Sequence, residues 1–360
     1  MRLAVFEAMA LNLWRDRAAF ALTFLLPPAI FAVFAIVFSS AAGGDLTIRL
    51  GAVGPEGDEV SATVIAGLET SEFVDVLVRY PDRQAMETQI IAGAVDAGIE
   101  ITRPAPDAPP AFQILFDQAK ESAATIAEAA LADQAPPEFA SENVVAPAKK
   151  TPVSGAQDGA AMAAYYAAGV GMLFLFLSGF QSALTVIEER DAGVMERIAA
   201  GPYGVRPMID GKFAFLTVQG LAQLVVIFVV AALVFGVNVS QSPLLLVMTM
   251  VIVAICAAGL CLAIVGFCRT RSQAHAIGAV LALVMGALGG SMAPRFLMAP
   301  EIRALGAFMP NAWGIEAFSA SLWRGGDLAL LWGPWALLLG TGLAGLGVSY
   351  VAMQKSMRAV

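Results

Sequence analysis

Apolar and charged positions are segregated along this chain into long stretches without an ionisable side chain and short charged ones. Five uncharged runs stand out: Ala18–Gly44, Gly159–Ile187, Phe213–Cys268, Ser272–Pro294 and Leu328–Gln354. About 20 apolar residues in a helix cross the hydrocarbon core of a bilayer, and charges within it are costly. The third run has 56 residues and carries the turn-forming string Asn238-Val239-Ser240-Gln241-Ser242-Pro243 near its middle. It divides into Phe213–Gly236 and Leu244–Phe267, so the pattern predicts six membrane-spanning helices. The first run is longer than the roughly 7–15 apolar residues of a signal peptide, which predicts an uncleaved anchor. Pro27-Pro28 predicts a bend within it.

Residues 45–158 have a different texture. Strands are expected at Leu46–Val53, Phe73–Tyr80, Ala94–Thr102 and Phe112–Asp117, with helices at Glu56–Thr70, Asp82–Gly93 and Ala119–Gln134. Strands alternating with helices predict a layered α/β unit inserted between the first two spans. Ala135–Gln157 is rich in Pro, Ala and Ser and reads as an extended connector. Residues 2–17 place Leu3, Phe6, Ala10 and Leu13 on one helical face, as in a helix lying along a membrane interface. The expected plan is an interfacial helix at 1–17, a span at 18–44, the α/β domain at 45–158, five spans at 159–354 and a tail at 355–360. Loop 188–212 lies on one side and loop 295–327 on the other.

Composition agrees with a chain solvated largely by lipid: 58% of residues are hydrophobic and 14% charged, against about half and a quarter in soluble domains. Counting Lys and Arg beside the spans sets the orientation. With the amino terminus inside, the inner segments hold eleven basic residues, whereas the short outer loops hold Arg295, Arg303 and Arg324. Both termini are then cytoplasmic and residues 45–158 lie outside, with seven basic and nineteen acidic residues, a net of −12. Cys256, Cys261 and Cys268 share the fourth span, poorly placed to pair with one another. They are expected to be packing residues, with neither disulfide nor metal.

The loop between the second and third spans combines charge with the apolar group Val194, Met195 and Ile198, spaced to share a helix face. Such a helix could fit a groove on a soluble partner, or it could be a solvated loop whose charges fix topology. On the second span, Ser178, Gln181, Ser182 and Thr185 form a polar stripe, and Gln219 and Gln223 lie four residues apart on the third. Either they line a translocation path or they bond helix to helix. On the fifth span Gly278, Ala282, Gly286 and Gly290 recur every four residues, a row that lets another helix approach closely. Gly286, central in that row, is expected to be its most sensitive member. The single histidine, His275, is also on this span and reads either as a hydrogen-bonded structural residue or as a proton carrier. A Walker A loop needs Gly-x-x-x-x-Gly-Lys-[Ser/Thr]. The nearest string, Gly204 to Gly211-Lys212-Phe213, has the wrong spacing and lacks the hydroxyl.

Glu189-Arg190-Asp191-Ala192-Gly193-Val194-Met195-Glu196, followed by Arg197 and Pro202, resembles the conserved loop of ABC type-2 exporter permeases. A second block resembles the outer loop between that family's last two spans: Gly290-Ser291-Met292-Ala293-Pro294, Met298-Ala299-Pro300, Pro310-Asn311-Ala312-Trp313 and Arg324-Gly325-Gly326. The resemblance covers nearly the whole chain. It implies that Glu189–Arg197 is a coupling helix seated on a separate cytosolic ATPase dimer, with the amino-terminal helix packed beside it. It also implies a second permease copy or paralogue, and ATP and magnesium held by the ATPase rather than by this chain. The substrate would be amphiphilic, drug-like or lipid-like, and the location a bacterial plasma membrane, the inner one in a Gram-negative cell. Membrane lipids are expected contacts and nucleic acid is not. The rival reading is a non-transporting receptor or scaffold that binds a ligand on the α/β domain.

Overall fold

Without water to satisfy the backbone, a chain in hydrocarbon must close its hydrogen bonds within helices, and the uncharged runs do so in the computed structural model. It describes residues 1–38, 48–55, 58–71, 73–103, 110–117, 121–134, 149–154, 160–240, 242–295, 298–322 and 328–358. Among these, six helices are long and apolar enough to cross a membrane: Arg17–Ile36, Ala163–Asp191, Arg206–Phe235, Pro243–Phe267, Arg271–Gly289 and Leu328–Lys355.

The chain begins with α1 (Arg2–Arg15), α2 (Arg17–Phe24) and α3 (Leu26–Phe38). The side chain of Asp16 caps α2 by accepting from the Ala19 amide. Helices α2 and α3 part at Leu25, where Pro27 and Pro28 remove successive helix donors. Helix α1 does not turn its apolar face wholly to a membrane surface. Met9 is buried, and Phe6, Ala10 and Leu13 pack on the chain's own core, leaving Leu3, Leu11 and Trp14 exposed.

Next come β1 (Ile48–Val53), α4 (Glu59–Glu69), β2 (Val74–Arg79), α5 (Arg83–Ile91), β3 (Ala97–Thr102), β4 (Ala111–Asp117), α6 (Glu121–Gln134) and β5 (Lys149–Ser154). The strands form one sheet in the order β2-β1-β3-β4-β5. Strand β1 runs parallel to β2 and β3, β3 antiparallel to β4, and β4 parallel to β5. One core joins Ile48, Leu50, Ile99 and Ile114 to Val64, Leu68, Ala127 and Leu131 from α4 and α6. A smaller one joins Met86 and Ile90 of α5 to Leu115. Asp96, fully buried, accepts from the backbone and guanidinium of Arg49. Asp58 caps α4, and hydrogen bonds from Ser61 and Arg103 hold its carboxyl below the usual carboxylate range. Strand β5 corrects the expected connector: its pairing with β4 extends the sheet, while residues 135–148 lie outside the described residues.

The remainder is helical: α7 (Ala160–Ala183), α8 (Thr185–Asp191), α9 (Val194–Ala199), α10 (Arg206–Phe235), α11 (Pro243–Phe267), α12 (Arg271–Gly289), α13 (Pro300–Gly306), α14 (Pro310–Leu322) and α15 (Leu328–Arg358). We call the bundle end bearing α8–α9 the loop face and the end reached by α13 the sheet face. Helix α7 is central, its Tyr166, Met172 and Phe176 fully enclosed.

Residues 295–327 are not a simple loop. Helix α14 is buried along most of its length. Phe318 meets Phe228 with ring centroids 5.0 Å apart, and the Ser321 hydroxyl lies 2.9 Å from that of Thr249, which also accepts from Trp335 Nε1 at 3.0 Å. Thr249 is six residues into α11, so α14 reaches roughly 9 Å below the end of that helix. With 13 residues α14 is too short to span; it is inserted into the bundle from the sheet face. Gly290-Ser291 anchors it: Tyr165 donates to the Gly290 carbonyl at 2.8 Å and Asn311 Nδ2 to the Ser291 hydroxyl at 2.8 Å. Arg324-Gly325-Gly326 lies outside the described residues.

Candidate functional site

The loop face is organised by a hairpin of two short helices. Helix α8 continues α7 after a break at Leu184, and α9 starts after Gly193, whose φ of +70° is left-handed. Only glycine adopts that conformation without a steric cost, so Gly193 lets the chain reverse direction there.

Three side chains of α8 reach three different helices. Glu188 lies 2.7 Å from the Arg271 guanidinium at the start of α12. Glu189 accepts from Lys212 Nζ at 2.8 Å, and that ammonium, fully buried on α10, also donates to Thr185 Oγ1 at 2.8 Å. Arg190 donates to the carbonyls of Cys268 at 3.1 Å and Arg269 at 2.5 Å, where α11 ends. A cation on the carbonyls that end a helix satisfies orphan acceptors and meets the negative end of the helix dipole. Glu189 and Arg190 therefore brace the hairpin to its own bundle and do not project from it.

The apolar side chains of the hairpin divide similarly. Met195 is buried in the bundle core and Ile198 packs against it, while Val194 is exposed. Asp191, Glu196 and Arg197 are exposed too. The surface the hairpin presents is thus polar with one valine, and the shared apolar face expected from the spacing is turned inward. Helix α1 is clamped beside α10: Arg2 lies 2.6 Å from Asp210, which also accepts from the Tyr350 hydroxyl, and Phe6 packs edge-on to Phe215. Gly211 permits this approach, since a Cβ there would lie 2.7 Å from the Arg2 carbonyl oxygen.

Above the hairpin a cleft of about 490 Å³ opens between α1–α2 and the pair α7 and α12. The stripe Ser178, Gln181, Ser182 and Thr185 lines it. Gln219 and Gln223 do not: both are buried behind the stripe, accepting from Ser182 at 2.8 Å and from Ser178 at 2.7 Å. One stripe thus both bonds helix to helix and faces an open space. His275 sits in the second turn of α12, near the loop face, where it lines the cleft without a hydrogen-bonding partner among the described residues.

The row on α12 packs within the chain. A Cβ on Gly278 would lie 2.7 Å from Phe180 Cγ, and one on Gly286 2.8 Å from Leu173 Cδ1, both on α7. Ala282 is buried between them. Gly290 ends the row as the helix cap, with φ +96°. Phe180 meets Gly278 close to its backbone, whereas Leu173 meets Gly286 with a flexible tip, so an added methyl group is more readily accommodated at Gly286 than at Gly278.

Sequence reasoning passed over Lys212, counted only as a topology-setting charge. The only local signal is that Lys212 borders the uncharged run starting at Phe213; that Glu189 is its partner is given by the packing. Asp16, Glu188 and Arg271, which join the polar stripe around the cleft, carried no local signal.

A family model described as ABC-2 family transporter protein matches residues 17–351. No match to a curated protein accompanies it. The matched region takes in five candidate spans whole and the sixth up to its last four residues, with the braced hairpin and the inserted helix α14, and the chain belongs to the ABC-2 family of transporter proteins.

Proposed function

We propose that the chain is the permease subunit of an ATP-binding cassette exporter, moving an amphiphilic, drug-like or lipid-like compound out of the cytoplasm or inner leaflet. Two copies, or one copy and a paralogue, sit on a dimer of cytosolic ATPase chains. ATP and magnesium belong to that dimer, and this chain contributes no catalytic residue. The loop face and both termini are cytoplasmic and the α/β domain is outside, as the Lys and Arg asymmetry favours, in a bacterial plasma membrane.

The observation that carries the reading is the bracing of the hairpin. Asp191, Gly193, Val194, Glu196 and Arg197 offer a docking surface, while Glu188, Glu189 and Arg190 tie its base to α12, α10 and the end of α11. A push on the exposed tip is thereby delivered to three spans at once, and the cleft opens between elements so connected. A receptor that binds a ligand on the sheet without transport has no need of such braces.

Replacing Glu196 with Lys reverses a charge on the exposed tip without touching a brace. Recovery of the ATPase with the purified permease should fall by about tenfold or more, with membrane insertion unchanged. Undiminished recovery together with undiminished ATP-driven export would overturn the docking role.

A further inference from the structure

The cleft is graded along its length. Its end nearest the loop face is lined by Asn12, Asp16, Glu188, Arg271 and His275, and its interior by Leu22, Leu26, Phe174, Leu177 and Phe180. Arg271, His275 and Ala279, at four-residue spacing on α12, all line it. The polar-to-apolar change thus runs along one helix face over about 12 Å. A volume of about 490 Å³ is that of a small-molecule site, within the usual range of roughly 300–1,000 Å³. A polar mouth above an apolar trough suits a molecule with one polar head and one apolar tail.

The charges at the mouth select the head. Arg271 is engaged at 2.7 Å by Glu188, so that pair is internally neutral. Asp16 spends Oδ1 on the Ala19 amide at 3.0 Å and has no cationic partner among the described residues. Arg15 and Arg17 flank it in sequence but do not line the cleft. Gln181 and His275 add side chains without hydrogen-bonding partners among the described residues. One carboxylate without a counter-charge beside neutral polar groups attracts a cation and repels an anion. The attraction grows as water is excluded, and the Phe rings deeper in the cleft add apolar surface for a tail.

We propose that the cleft binds a cationic, single-tailed amphiphile, its head at Asp16 and its tail along Leu22, Leu177 and Phe180. The inference rests on the permease reading and narrows its substrate class. The test uses the purified full chain in nanodiscs of zwitterionic lipid, without ATPase or nucleotide. Binding is followed by fluorescence of a dansyl-labelled dodecyl trimethylammonium probe, of its sulfonate counterpart, and of a two-chain trimethylammonium lipid bearing the same fluorophore. The single-chain cation should bind about tenfold or more tightly than the sulfonate. Asp16→Asn, which keeps a good helix cap, should remove most of that preference, and Ala279→Phe should abolish binding by filling the trough. Equal affinity for cation and anion overturns the head chemistry. Unchanged binding in Ala279→Phe overturns the location, and tighter binding of the two-chain lipid overturns the single tail. ATPase recovery measured on the same preparation separates the two readings: a chain that recruits ATPase yet shows no head preference sinks this inference alone, whereas one that recruits none sinks the permease reading.

Discussion

Two glycine-lined seams hold the bundle, and they differ in what meets the glycine. Between α11 and α15 backbone meets backbone: a Cβ on Gly259 would lie 1.9 Å from the Gly342 carbonyl oxygen, and one on Gly345 2.6 Å from the Gly259 carbonyl carbon. Between α7 and α12 side chain meets glycine, Phe180 on Gly278 and Leu173 on Gly286. Carbonyls in a helix cannot change rotamer, so the first seam has one geometry. The second is filled by side chains with alternative rotamers, and Phe180 also lines the cleft. The small residues of a membrane bundle thus serve two ends: one pair of spans is locked, and another is packed so that its fit depends on a side chain facing the candidate ligand site.

The largest expected effect tests the locked seam. Gly259→Ala must push α11 and α15 apart, which should cost about 3 kcal/mol, the upper end of ordinary overpacking. It would show as a lowered unfolding midpoint of the full chain in detergent. A midpoint equal to wild type would mean the contact is looser than the distances say. Glu189→Ala comes next. It leaves the buried Lys212 ammonium with the Thr185 hydroxyl alone and should cost about 2 kcal/mol, less than for a fully buried pair because Glu189 is partly exposed. Glu189→Gln, which keeps an acceptor, should recover part of it, and equal loss in both variants would argue against the brace. Gly278→Ala follows, at about 1 kcal/mol, the lower end of ordinary overpacking, since the added methyl group meets one side chain and not a facing helix backbone. Its signature is a change in amphiphile binding or export larger than the change in stability, and Gly286→Ala should be milder in both. Greater sensitivity at Gly286 would reverse the ranking of the second seam.

The contrast between the seams also marks what could be read from sequence. Length and apolarity placed all six spans, because the rule behind them is local: a helix must be about as long as the hydrocarbon is thick. The α12 row was legible for the same reason, four small residues at one spacing in one segment. The α11–α15 seam is less legible: its small residues, Cys256, Gly259, Ala263 and Gly266 facing Gly342, Gly345, Ser349 and Ala352, recur in mixed steps of three and four, and the two rows lie about 80 residues apart. The sequence of α14 reads as loop because its apolar stretch is too short to span, although that length is also what an inserted helix has. The stripe from Ser178 to Thr185 was read with two roles open, and the structure gives it both kinds of neighbour: glutamines behind and space in front. Burial of Lys212 depends on a carboxylate 23 residues earlier, a pairing that span-by-span reading does not weigh. The polar end of the cleft is assembled from α1–α2, α8 and α12 and exists only once those elements are packed.

Gly193 is expected to give a small effect and isolates backbone conformation from contact. At Gly259 the cost of a methyl group is collision, for its backbone is helical. At Gly193 the reverse holds: a Cβ would meet nothing nearer than Glu196 Oε2 at 3.9 Å, but φ is +70°. A residue with a Cβ pays about 1 kcal/mol there, and asparagine, which tolerates the left-handed region better, less. Stability should therefore fall in the order Gly, Asn, Ala, by small steps, with no change in detergent behaviour of the bundle. Because Gly193 joins the braced α8 to the exposed tip on α9, ATPase recovery should follow the same order while amphiphile binding stays constant. If Ala matched Gly in both stability and recovery, the turn would not require its left-handed geometry, and the hairpin would owe its shape to the braces on α8 alone.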